Sequence, residues 1–294
     1  MSNSRIIAHE FDYFSPKTLK EASLLLKQHG PEAKIIAGGT DVLVQLKQEK
    51  ISPACLIRIM GIPELRGIRE DGVLKIGATA TLREVREHAR GSGHTALFEA
   101  ISVLAKPQVW NMGTLAGNIC NGSPAADTAP PLLVFGARVK VLGPGGERVL
   151  DLEDFFQGVN KTAMTPEEIL VEIQVGAIEK GMGSAFEKNA RVGADISKVT
   201  CAVSLTREGE QCTACRIALG AVAPTPMRAK EAEGMVQGRK VDATLVQKAT
   251  LQVSREVQPI DDVRSTAAYR RQVAGVLFKD VFWTAWRRAG GEEK

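Results

Sequence analysis

Between Gly113 and Asp127 the chain concentrates small, amide-bearing and backbone-permissive residues with almost no charge, and this run constrains the fold more than any other. Gly113 and Gly117 let a backbone approach another group closely, while Thr114, Asn118, Asn121 and Ser123 supply neutral donors, a combination that suits a bound pyrophosphate. Asp127 ends the run with its only carboxylate. A carboxylate gives nothing to phosphate, but it accepts from sugar or ribityl hydroxyls. A nucleotide lying along the segment is one reading, and a Gly/Asn/Pro-rich surface turn is the other.

A chain of 294 residues has room for two or three domains, and 44% hydrophobic with 24% charged residues describes an ordinary globular composition. The longest apolar runs, such as Leu132 to Ala137, fall far short of the ~20 residues a bilayer requires, so no membrane span is expected. With no charged-then-apolar leader, a cytoplasmic location is expected. The net charge of +4 is spread over mixed-sign segments rather than a basic stripe with aromatics, which argues against nucleic acid as a partner. Five cysteines, an odd number in a long chain, predict reduced thiols rather than a disulfide framework.

Taken in order, Thr18 to Glu21 reads as a capping box opening a helix with Leu19, Ala22 and Leu26 on one face, which Gly30-Pro31 stops. Lys34 to Ala37 is a short apolar strand leading into Gly38-Gly39-Thr40-Asp41 and then a helix over Val42 to Gln48. Strand, tight turn and helix place the turn's amides where an anion is favoured, although a plain βα turn has the same pattern. Leu56 to Ile59 and Leu74 to Ala78 read as strands, Thr81 to Glu84 as a second capping box, and Leu97 to Ala105 and Pro130 to Phe135 as helices. Val139 to Leu142 and Arg148 to Leu150 form a hairpin about a glycine turn, and Ile169 to Val175 alternates like a strand. A boundary falls between Gly176 and Gly183. Beyond it lie strands over Val199 to Leu205 and Cys215 to Val222, then helices over Met227 to Gln237, Ala243 to Arg255 and Thr266 to Arg288. In the last helix Tyr269, Val273, Leu277, Val281 and Thr284 share a face, predicted to be core.

Familiar catalytic signatures are missing. There is no Gly-x-Gly-x-x-Gly, no Walker loop, no paired histidine spacing and no nucleophile elbow. Cys212 and Cys215 have C-x-x-C spacing, but at the start of a strand residues i and i+3 point to opposite faces, which predicts two unrelated thiols.

Together, Lys34 to Asp41 and Met112 to Asn118, continued by Ser123-Pro124-Ala125-Ala126-Asp127, resemble the FAD-binding subunit of the molybdenum hydroxylases, the family of xanthine dehydrogenase and carbon monoxide dehydrogenase. Gly220 to Arg228 resembles that family's C-terminal domain. The wording of Gly39 to Leu46 and Gly117 to Gly122 is nearest bacterial xanthine dehydrogenase flavin subunits. The resemblance implies an α+β chain: a two-part PCMH-type, vanillyl-alcohol-oxidase-like FAD-binding domain over 1–177, with subdomains of about 1–56 and 57–177. An α+β C-terminal domain with an antiparallel sheet and helices follows over 182–288.

The resemblance implies that Ile35, Ile36, Ala37, Gly38, Gly39, Thr40, Asp41 and Val42 wrap the FAD pyrophosphate, with Thr114, Leu115, Ala116, Gly117 and Asn118 facing them from the other side as a second glycine loop. By the same likeness Asp127 accepts from sugar or ribityl hydroxyls, Leu170 lines the adenine or ring pocket, and Leu104 lies near the isoalloxazine. Lys188, with Glu187 as an alternative, sits on a flavin-proximal strand, and Arg191 to Asp195 gates the acceptor. No catalytic acid, base or metal ligand is expected in this chain. The implied role is electron transfer, from 2Fe–2S clusters of a small iron–sulfur subunit to FAD and on to NAD or another acceptor. Substrate oxidation falls to a large subunit carrying the molybdenum cofactor.

Two residues depart from the pattern. Ala116 stands where relatives often have glycine, and Trp110 where a basic residue is common. A cysteine-rich loop for an additional iron–sulfur cluster is missing. Two alternatives remain at this level: a self-contained flavin oxidase of the vanillyl-alcohol-oxidase type, for which Cys120 is the nearest attachment residue, and a non-catalytic nucleotide-binding scaffold.

Overall fold

The computed structural model describes residue 7 and residues 9–291. The start of the expected first domain, residues 1–6, lies outside them. The chain begins with a parallel sheet of three strands in the order β1-β3-β2: β1 (Asp12–Phe14), β2 (Ala33–Ile36) and β3 (Cys55–Arg58). Helix α1 (Leu19–His29) joins the first two. Thr18 accepts from the Glu21 amide, but the Glu21 carboxylate takes the Lys17 amide instead of closing the box on Thr18. Gly30, at φ 51°, ends the helix in a conformation that disfavours other residues. Helix α2 (Val42–Lys47) connects β2 to β3.

A second, antiparallel sheet follows in the order β4-β5-β10-β6-β7. Its first pair is β4 (Ile68–Asp71) and β5 (Val73–Gly77), which leads to α3 (Leu82–Gly91), α4 (Thr95–Val103), α5 (Pro107–Trp110), α6 (Leu115–Cys120) and α7 (Ala129–Val134). Thr81 and Glu84 form the full reciprocal box on α3. The predicted hairpin is β6 (Arg138–Gly143) with β7 (Gly146–Asp151). A short α8 (Leu152–Phe155) and the pair β8 (Phe156–Gly158) and β9 (Lys161–Thr162) precede β10 (Ile169–Val175). An extra residue in β10 at Val171 breaks its register with β6, and Ala78 donates to the Val171 carbonyl.

The remainder builds a third sheet, β11 (Met182–Asn189), β12 (Val199–Glu208), β13 (Gln211–Gly220) and β14 (Met227–Arg228). It is followed by α9 (Lys230–Val236), β15 (Arg239–Lys240) against β13, α10 (Ala243–Glu256) and α11 (Ala267–Ala289). Strand β12 is buried on both faces, so every residue from Val199 to Leu205 is buried, Thr200 and Ser204 included. Cys201, Val203, Ile217 and Leu219 face a core shared with α9, α10 and α11, whereas Phe186, Ala202 and Ala218 join the core of the first 178 residues. The alternation follows from the two-residue period of a strand. Polar ties reinforce the seam: Glu99 accepts from the Phe186 amide at 2.8 Å and pairs with Arg288 at 2.6 Å.

Three local expectations are corrected. Met227–Arg228 is a strand, so the ninth helix starts only at Lys230. The buried stripe of α11 is Arg270, Ala274, Phe278, Val281, Phe282 and Ala285, of which the predicted face contained only Val281; Tyr269 is 42% exposed. The stripe is rotated to take in buried Arg270, whose Nη1 donates to the Lys198 and Ala221 carbonyls, each at 2.9 Å, and whose Nη2 pairs with Asp262 at 2.6 Å. Finally, Cys212 and Cys215 are both buried in the second core, the Cys212 thiol donating to the Ala214 carbonyl at 3.2 Å. An extra residue in β13, Thr213, shifts the register with β12 and turns i and i+3 to one side.

Among the described residues no helix is long and apolar enough to cross a membrane, and no group of His, Cys, Asp and Glu could hold a metal ion.

Candidate functional site

The two glycine segments meet. Residues 37–41 leave the sheet edge at β2 and enter α2, with Gly39 at φ 75° making the turn. Gly38 packs against the second segment so tightly that a Cβ there would stand 1.6 Å from the Met112 carbonyl oxygen. A Cβ on Gly113 would lie 3.2 Å from the Thr40 hydroxyl. The second segment is held from behind: Leu82 donates to the Gly113 carbonyl at 2.8 Å, and Leu115 donates to the Ala80 carbonyl at 3.3 Å. Thr114 caps α6 by accepting from the Gly117 amide at 2.9 Å. Gln45 of α2 donates to Asn121 just beyond α6 at 3.2 Å, tying the two helices together.

Beside this contact runs a groove of about 510 Å³, within the size range of cofactor sites. Of the residues expected at the site, Ile35, Ala37, Gly38, Gly39, Thr40, Asp41, Val42, Leu104, Thr114, Ala116, Gly117, Asn118 and Leu170 line it. Ile36 and Leu115 do not; they are buried in the hydrophobic cores on either side. Asp127 and Lys188 do not line it either. They form an ion pair of 2.7 Å with side chains only 7% and 5% exposed. Lys188 also donates to the Val103 carbonyl at 3.4 Å, and Ser197 donates to the other Asp127 oxygen. Burial pushes the Asp127 carboxyl up, opposed by the Lys188 charge and the two hydrogen bonds.

Sequence reasoning missed the far wall, the loop from Thr162 to Ile169, together with Leu26 and Lys34. Its shape is set by Glu168, which accepts from Arg148 Nε and Nη2 at 2.7 and 2.8 Å and from the Thr165 amide at 2.7 Å. The Arg148 hydrogen bond holds the Glu168 carboxyl below its usual range. No local signal marks this loop; it reaches the groove because β10 pairs with β5 and β6, across more than ninety positions to β5. Cys120 and Met164 bring their sulfurs to 3.8 Å along the same wall.

The chemistry of the groove is polar and cradle-like at the glycine contact and apolar toward both ends. Among the described residues, the backbone N–H groups of Gly38, Gly39, Thr40 and Asp41 meet no acceptor, so a run of donors is available to an anion. Burial raises the Asp41 carboxyl. Leu26, Leu104, Ala105, Val109, Ile169 and Leu170 add apolar surface to its lining. Burial pushes the Cys120 thiol up to about 12, so it remains protonated and a weak nucleophile. No histidine lines the groove. These residues fit a dinucleotide with a diphosphate bridge: glycines where a Cβ would collide, unpaired amides for phosphate oxygens, and apolar walls for rings.

Comparisons with known proteins agree. Residues 9–177 match the family described as "FAD binding domain in molybdopterin dehydrogenase", and residues 184–285 match "CO dehydrogenase flavoprotein C-terminal domain". The chain is similar to the carbon monoxide dehydrogenase medium chain of Hydrogenophaga pseudoflava, 35% identical over 285 residues, covering 96% of this chain and 99% of the relative. It is 34% identical over 285 residues to the xanthine dehydrogenase FAD-binding subunit of Escherichia coli, covering 95% and 97%. Among solved structures, one of carbon monoxide dehydrogenase from H. pseudoflava aligns with a TM-score of 0.94 at 36% identity, covering 96% of this chain and 99% of that one. Quinoline 2-oxidoreductase from Pseudomonas putida 86 aligns at 0.88 and 27%, covering 96% and 98%.

Proposed function

This chain belongs to the family of FAD-binding medium subunits of the molybdenum hydroxylases, and from that premise we propose that it carries electrons within a multi-subunit dehydrogenase in the cytoplasm. Bound FAD would supply the redox chemistry that links 2Fe–2S clusters on a small partner subunit to NAD or another acceptor. The residues of this chain bind and orient. The free amides of 38–41 and the capped turn at Thr114 hold the diphosphate, and Leu104, Ala105 and Leu170 shape the apolar ends. In this reading Asp127 and Lys188 stand behind Leu104, through the Val103 carbonyl, as buried support for that wall.

The observation that carries the proposal is the contact of Gly38 with Met112: it forms a cradle for a cofactor in a groove where neither a histidine nor an activated thiol is available to act on a substrate. The same absence from the groove weighs against a self-contained oxidase with covalent flavin. The organic substrate is bound by the large molybdenum subunit. Near-equal identity to carbon monoxide and xanthine dehydrogenase subunits selects neither substrate. We take 1–177 and 182–288 as the two domains.

Purification of the native protein, with its visible spectrum and its co-purifying chains identified, tests this reading. FAD with an iron–sulfur and a molybdenum subunit is expected; a flavin-bearing monomer without partners would overturn it.

A further inference from the structure

Trp110, where the resemblance implies a basic residue, stands behind the wall of the groove and is bonded to it. Leu104 and Ala105 line the groove, and one turn later α5 folds the chain back so that the Trp110 indole N–H donates to the Leu104 carbonyl. The neighbouring Val103 carbonyl is taken by Lys188. Ala105 sits at φ 48°, a left-handed conformation costly for a residue with a Cβ and kept only where the surroundings enforce it. The ring is fixed in turn, with the Arg86 guanidinium 5.2 Å above Trp110 and 4.7 Å above Phe98, and Arg86 Nε donating to Ser102 at 2.8 Å. Arg86 thus brings a positive charge from α3 over the Trp110 ring.

We propose that Trp110 is a positioning residue for the flavin. Its indole N–H holds the Leu104 carbonyl away from the groove and fixes Leu104 and Ala105 as an apolar wall against the ring. The inference rests on the FAD reading of the groove. A freed carbonyl would otherwise turn to the groove or draw water to it, changing the polarity beside the ring without removing any group that touches the diphosphate.

The test uses the full chain and FAD itself, titrated by flavin fluorescence, with the visible spectrum and midpoint potential of the loaded protein. Trp110→Phe keeps an aromatic ring beneath Arg86 and removes the donor, at the cost of some ring volume. It is expected to weaken FAD binding about threefold to tenfold and to shift the flavin absorption bands and potential. Arg86→Met keeps the indole N–H but loosens the ring, and is expected to shift the bands and potential less than Trp110→Phe does. Native-like affinity, spectrum and potential in Trp110→Phe would overturn the inference, as would equal spectral shifts in both variants. Should Trp110→Phe not fold, the indole N–H resonances of the 15N-labelled native chain decide, assigned through Trp283→Phe and Trp286→Phe. The Trp110 proton is expected to be protected from exchange and to shift on adding FAD; exchange at the free-solvent rate refutes the role. A native chain that binds no FAD defeats the functional reading, whereas native binding with an unaltered Trp110→Phe defeats only this inference.

Discussion

Gly38 lies directly against the backbone of Met112: a Cβ on residue 38 would stand 1.6 Å from the Met112 carbonyl oxygen and 2.4 Å from its carbon. Because the obstacle is backbone, no rotamer change relieves it. Gly38→Ala must therefore push the two glycine segments apart, at a cost of about 1–3 kcal/mol or more. The variant is expected to purify without flavin and to melt at lower temperature. A yellow Gly38→Ala protein with native FAD affinity would show that the contact does not shape the cradle.

The Asp127–Lys188 pair is buried on both sides, so deleting one partner strands the other. Lys188→Met is expected to destabilise by about 3–5 kcal/mol in urea denaturation. Asp127→Asn combined with Lys188→Met should recover a large part of that loss, and strictly additive effects in the double-mutant cycle would contradict a coupled pair.

His94 is 3% exposed and held between the Ser92 hydroxyl, at 2.9 Å, and the Gly176 carbonyl, at 3.0 Å. Burial lowers its pKa from 6.5, only partly offset by the Gly176 hydrogen bond. The folded state therefore binds its proton less readily than the unfolded state. Its contribution to stability is complete above 6.5 and declines as pH falls from there through the depressed folded value. Unfolding free energies of the native chain should drop between neutral pH and pH ~5. His94→Gln should flatten that part of the profile, and an unchanged slope would assign the loss to other groups.

Cys120 lines the groove with its thiol pushed up to about 12, and Cys55, Cys201 and Cys215 are raised as well, each by burial or by a neighbouring thiol. At pH 8 the Cys120 thiolate fraction is about one in ten thousand. Native protein should react with Ellman's reagent only slowly, all five cysteines becoming titratable in guanidinium. Acid precipitation should release the flavin completely. Flavin retained on the Cys120 peptide would revive the covalent oxidase reading.

The helix caps at Thr18 and Thr81, the hairpin at Gly143 to Gly146 and the strand–turn–helix at residues 37–41 were legible because each is specified by side chains within a few positions of the backbone they satisfy. Strands β1 and β4 were not, since Asp12–Phe14 and Ile68–Asp71 carry no alternation and exist only because a partner strand is present. The buried face of α11 was misread for a related reason. A hydrophobic pattern ranks Tyr269 above Arg270, and it is the carbonyls of Lys198 and Ala221, brought together by β12 and β13, with the Asp262 carboxylate, that hold the arginine in the buried position. Thr213 likewise reversed the expected relation of Cys212 and Cys215, because a bulge belongs to a pair of strands rather than to one.

For the site, the sequence by itself determined the two segments, since only glycine tolerates the closeness at residue 38 and the left-handed turn at residue 39. The tertiary structure decided what those segments do to each other and what completes the groove. It put them in contact, buried Asp127 against Lys188 away from the groove, and carried the Thr162–Ile169 loop to the far wall. Those relations join residues tens of positions apart, and the hydrogen bonds and apolar burial that enforce them exist only once the sheets are assembled.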